Sequence, residues 1–207
     1  MRKYVIGVIG LIALIIFGIV VTGFYFNRIL NMPTGSMSNT IIPGEKILVS
    51  GFFSQINRGD IMVFKFPKDP KIKYCMRVIG LSGETIEIRG QKVFINNQEL
   101  IEKRVQTESS YLDDNSPLRE FSTEGTGSYN TYHNRVVATD DSLHHQMKFG
   151  VQEPFKILVG EYFVMGDSRD NSVDSRFWGT VKANAMQYKA KKIISSPDPI
   201  RDFSDLK

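Results

Sequence analysis

Three short segments hold the residues able to do chemistry. Pro33-Thr34-Gly35-Ser36-Met37 sets a serine beside a glycine, within a turn-forming stretch rich in Pro, Thr, Gly, Ser and Asn. A glycine at that point lets a peptide carbonyl come close to the hydroxyl. A serine hydroxyl is a weak nucleophile and needs a base to take its proton. Tyr74-Cys75-Met76-Arg77-Val78-Ile79-Gly80-Leu81 offers none at its centre, because methionine accepts no proton and arginine stays protonated. Lysine serves as a base where burial keeps it neutral. In a strand over Ile72 to Leu81, however, Tyr74 and Met76 share one face, while Lys73, Cys75 and Arg77 point to the other. Lys71 and Lys73 therefore have the wrong parity to stand in for position 76. The third segment, Gly166-Asp167-Ser168-Arg169-Asp170-Asn171-Ser172-Val173-Asp174-Ser175-Arg176, reads by itself as a polar turn stitched by Asx hydrogen bonds.

Other chemistries find little support. His133, His144 and His145 lack cysteine partners and the i, i+4 spacing of a helical zinc site, so neither metal nor cofactor is expected. Cys75 is the single cysteine, which excludes an intrachain disulfide, and a lone strand cysteine reads as a small core residue. The net charge of +4, from 26 basic and 22 acidic residues, is too weak and dispersed for nucleic acid but suits proximity to anionic lipid. The densest basic cluster, Lys65, Lys68, Lys71 and Lys73, reads as a solvated loop and strand face.

Around these segments the chain has a clear organisation. Tyr4 to Phe26 contains no charge and no proline, long enough to cross a hydrocarbon core of roughly 30 Å. Arg2 and Lys3 before it favour a cytoplasmic N-terminus, and the aromatics near Phe26 suit an interface. Strands are predicted at Lys46–Ser50, Ile61–Phe66, Ile72–Leu81, Thr85–Ile88, Val93–Ile95, Phe155–Val159 and Tyr162–Met165, separated by Gly, Asn and Pro turns. Short β-rich runs of this kind imply a mainly β protein built on a coiled antiparallel sheet. We divide the chain into an anchor (1–27), a β core (28–104 and 155–195), an inserted polar subdomain (105–154) with a weak strand at Arg135–Ala138, and a loose polar tail (196–207).

Taken together and in this order, after one apolar anchor, the three segments resemble the conserved boxes of bacterial type I signal peptidases. The third is the most specific, with Ser168 in place of a more frequent asparagine, and Trp178-Gly179 beyond it also fits. The resemblance implies a membrane-bound serine endopeptidase that removes signal peptides from exported preproteins. Its catalytic domain would lie on the outer face of the cytoplasmic membrane, with preprotein signal peptides and the lipid bilayer as partners. The sequence carries no signal of oligomeric state. By the same resemblance Ser36 is the nucleophile, and its N–H and the Thr34 hydroxyl form the oxyanion hole. Met32, Pro33, Tyr74 and Cys75 border the substrate. Ser172 would hydrogen-bond a base lysine, with Asp174 and Arg176 as a supporting ion pair and Arg77, Asp167 and Arg169 around them. Met76 occupies the position of that lysine, and Asn39 that of a usual proline, which predicts a looser loop after the nucleophile. Related enzymes of the endoplasmic reticulum use histidine as base, which brings His133, His144 and His145 into consideration. Three explanations of Met76 stand open: an engineered inactive variant, a natural homologue that binds without cutting, and an enzyme that recruits its base from elsewhere.

Overall fold

The computed structural model describes residues 9–18, 26–107, 120–134, 146–151 and 153–206. Residues 9–18 are helical and their apolar side chains are exposed. Among the described residues no helix is long and apolar enough to cross a membrane. Most of the expected span from Tyr4 to Phe26 lies outside them, as do Arg135–Ala138.

The strands in chain order are β1 (Asn27–Asn31), β2 (Lys46–Ser50), β3 (Ile61–Phe66), β4 (Asp69–Gly80), β5 (Thr85–Arg89), β6 (Lys92–Ile95) and β7 (Gln98–Glu99). They continue with β8 (Lys103–Thr107), β9 (Glu120–Glu124), β10 (Asn130–Asn134), β11 (Phe155–Lys156), β12 (Glu161–Met165), β13 (Val181–Lys182) and β14 (Met186–Ser195). A seven-stranded sheet runs β1-β2-β14-β3-β4-β12-β13, and β11-β5-β6-β7 form a second sheet. The third, β10-β8-β9, contains a parallel pair, β10 with β8; the other pairings are antiparallel.

The large sheet is covered on both faces here, which is why Ile61-Met62-Val63-Phe64 of β3 read as an unbroken apolar run. Ile61 and Val63 point into a cluster with Met37, Ile47, Val49 and Cys75. Met62 and Phe64 point into another with Met76, Val78, Val164 and Trp178. The alternation predicted for β4 holds, with Cys75 in the first cluster and Met76 and Val78 in the second. Ile79, Phe163 and Met165 join the large sheet to β5 and β6 through a third cluster.

Three sequence expectations are corrected. β4 begins three residues early, at Asp69. The Phe155–Val159 strand shortens to two residues, since Leu158 and Val159 are exposed beside a turn at Gly160. The tail is not loose. Arg201 Nε and Ser196 Oγ bond buried Glu45 at 2.6 and 2.7 Å, Leu206 N–H donates to Lys191, and the Leu206 side chain packs on the core.

Candidate functional site

Ser36 sits in a single 3-10 turn, Gly35–Met37, entered from an extended Thr34 whose side chain caps nothing. Met37, 1% exposed, pins the turn to the core. Ser38 and Ile41 close the following loop by donating their N–H groups to Gly35 and Met37. Asn39, where a looser loop was predicted, is buried and adopts φ 54°. Asparagine tolerates that left-handed conformation, whereas proline is locked near −65°. The loop is closed in a way that excludes the proline.

The third segment approaches this turn from behind. Ser168 N–H donates to the Ser36 carbonyl at 3.0 Å. At Gly166 the chains are so close that a Cβ would lie 2.4 Å from the Ser36 carbonyl oxygen and 2.3 Å from Ser172 Oγ. Only glycine fits there.

β4 supplies the other wall. It pairs with β3 along its length but with β12 only from Arg77 to Gly80. Among the described residues, the stretch Ile72–Met76 has no strand partner on its second edge. A cleft of about 420 Å³ runs along this edge. Met32, Pro33, Thr34, Ser36, Tyr74, Cys75 and Met76 all line it. Asn171 and Val173 line it too, and sequence reasoning did not single them out.

Among the described residues no carboxylate or histidine lines the cleft, and its ionisable side chains are Lys73, Tyr74 and Cys75. Lys73 is exposed, with its ammonium 5.5 Å from the centre of the Tyr188 ring. Burial, aided by the charge of Asp167 and opposed by Arg77, pushes the Cys75 thiol up to about 12. Tyr74 stacks on Phe66 at 4.6 Å. Met76 is 3% exposed, opposite Met62. Behind the cleft, Ser172 is buried, and its Oγ has no hydrogen-bond partner among the described residues. His133 lies in a different cavity with Arg169 and Arg176, bonded to Thr131. Burial, then Arg169, Arg176 and Arg104, push it down to about 3. His144 and His145 lie outside the described residues.

Buried ion pairs brace the site. Arg77 grips Asp167 through Nε at 2.8 Å and Nη2 at 2.6 Å, and the Thr40 hydroxyl donates to the same carboxylate. Asp174 pairs with Arg176 at 2.8 Å and accepts the Gly166 N–H at 3.1 Å. Arg169 pairs with Glu102, which also accepts from Tyr129. Sequence reasoning missed Glu102 and Tyr129, because partners brought from distant strands leave no local spacing. β10, from the stretch read as an insertion, clamps the third segment through Tyr132 N–H to Asp167 O at 2.7 Å and Arg169 N–H to Tyr132 O at 2.9 Å.

Comparison with known proteins places this geometry in a family. The family model for signal peptidase, peptidase S26, matches residues 2–194. A signal peptidase I of Pseudomonas fluorescens is 33% identical over 71% of this chain and 54% of its own length. One of Aquifex aeolicus is 31% identical over 95% of this chain and 85% of its own. A crystal structure of a signal peptidase I from Enterococcus faecalis, 25% identical, covers 65% of this chain and 96% of that one with a TM-score of 0.39. The chain thus spans about half the length of the Pseudomonas relative and most of the Aquifex one. With three matching segments gathered around one cleft, the chain belongs to the type I signal peptidase family.

Proposed function

We propose that this chain acts on the signal peptides of exported preproteins through a serine endopeptidase site of the signal peptidase I type, with cleavage held back by methionine at the base position. The observation that carries this reading is the shared cleft of Ser36 and Met76 along the free edge of β4. An extended peptide adds to such an edge as a further strand, with main-chain bonds giving affinity. Met32, Pro33, Tyr74 and Cys75 form its apolar bed. Ser36 faces the scissile carbonyl, and the Ser36 N–H with the Thr34 hydroxyl receives the developing oxyanion. Arg77, Asp167, Arg169, Asp174 and Arg176 keep the walls in register. The protein works at the outer face of the cytoplasmic membrane, anchored by its N-terminal apolar run.

A second reading, a membrane-tethered binder of signal peptides that does not cut, is favoured by Met76 and by the unpartnered Ser172 hydroxyl. By resemblance to the family, a base amine at position 76 would be the partner of this hydroxyl. Both readings need an occupied cleft. Binding of a fluorescent preprotein to the Ser36→Ala protein in detergent tests that shared step. Saturable binding, competed by a signal peptide and not by the mature segment, is expected. Absence of such binding overturns both.

A further inference from the structure

We propose that a second cavity, away from the Ser36 cleft, is a binding site for a small oxyanion, a phosphate or carboxylate, held by Arg89, Arg169 and Arg176. It has a volume of about 440 Å³ and lies between β5, β10 and the third segment. That volume is within the range of small-molecule sites.

The arginines face it with donors to spare. Arg169 is 3% exposed and uses Nη1 and Nη2 on Glu102, while its buried Nε has no partner among the described residues. Arg176 spends Nε and Nη2 on Asp174, Arg169 and Ser172. Among the described residues its Nη1 makes no hydrogen bond. Arg89, half exposed, completes the wall.

Their carboxylate partners Glu87, Glu102 and Asp174 are not among the described lining residues, which present three guanidinium groups. Among the described residues Asp170 is the single acidic one in the lining, and its Oδ2 already accepts the Asn134 N–H at 2.7 Å. His133, also in the wall, is held neutral by burial and then by Arg169, Arg176 and Arg104, which suits an electropositive chamber. Arginine forks of this kind match the geometry of phosphate and carboxylate. A purely structural set of ion pairs accounts for the bonds to Glu102 and Asp174 but not for the unpartnered buried Nε.

The test uses the full chain in detergent micelles, titrated with sodium phosphate or sodium acetate against sodium chloride at matched ionic strength. Melting temperature and the His133 ring resonances are read. Phosphate, acetate or both should raise the melting temperature saturably and shift His133. Response to phosphate alone assigns a phosphate ligand, and an equal response to acetate assigns a carboxylate. Arg89→Gln should weaken the apparent affinity about tenfold or more. The affinity is read from the anion-induced shift from that variant's own melting temperature in chloride, because the change also removes the Glu87 and Phe94 contacts. The proposal is overturned if neither anion acts beyond chloride, or if Arg89→Gln responds as the unaltered protein does.

Discussion

The Ser36 carbonyl oxygen accepts the backbone N–H of Ser168 at 3.0 Å, tying the turn that presents the hydroxyl to a segment far along the chain. Beside this bond Gly166 leaves no room for a side chain. The position of Ser36 is therefore set from behind by backbone contact, while the residue lines the cleft.

Gly166→Ala forces a methyl group against the Ser36 carbonyl and the Ser172 side chain. Overpacking of this kind costs about 1–3 kcal/mol, and more where backbone must move. Urea denaturation should give a loss in that range or above, with weakened preprotein binding. An unchanged midpoint would show that the two segments part easily.

Asp167→Ala leaves the Arg77 guanidinium buried without its carboxylate. Removing one partner of a buried pair costs about 3–5 kcal/mol. The double change Arg77→Met, Asp167→Leu should recover most of that loss, because two well-packed apolar groups bury no charge. If the double change is as unstable as the single one, the pair contributes more than compensated charge.

Asn39→Pro restores the residue usual in the family but cannot adopt φ 54°. We expect destabilisation on the order of 3 kcal/mol, with Asn39→Gly near neutral. A stabilising proline would mean that the loop has another accessible conformation.

Much of this was legible in the sequence, for identifiable reasons. β2, β3 and β12 followed from compact β-rich runs between turns, and the β4 parity that separates Met76 from Cys75 followed from strict alternation. β14, the strand between β2 and β3, was missed. Its register shifts near Ala190–Lys192 and Ile193–Ser195 break the two-residue period. β1 was missed because its polar, exposed residues carry little alternation. The tail looked loose because what binds it is one distant buried carboxylate, Glu45. The three boxes announced the site, but Asn171, Glu102 and the closed loop at Asn39 depend on contacts between segments that no local pattern encodes.

His133 should govern part of the acid sensitivity. Its value in the folded chain, about 3, lies below the ordinary 6.5, so the unfolded chain binds the proton more readily. The contribution to stability is complete above pH 6.5 and is lost as pH falls toward 3. The slope approaches about 1.4 kcal/mol per pH unit. His133→Gln should flatten the stability profile over that window. An unchanged profile would assign the acid sensitivity to carboxylates.

Met76 leaves Ser36 without a histidine or carboxylate as proton acceptor among the described residues of the cleft. The direct measurement is the single-turnover rate of preprotein cleavage by the unaltered protein, Met76→Lys and Met76→Lys with Ser36→Ala. Met76→Lys puts an amine in the wall of the cleft that Ser36 also lines, and its rate should rise with pH as that amine deprotonates. Losing one member of such a catalytic unit costs on the order of 10⁴-fold or more, so Met76→Lys should exceed the unaltered protein by a factor of that order. The added Ser36→Ala should abolish the gain. Equal cleavage by the unaltered protein and Met76→Lys would contradict the account.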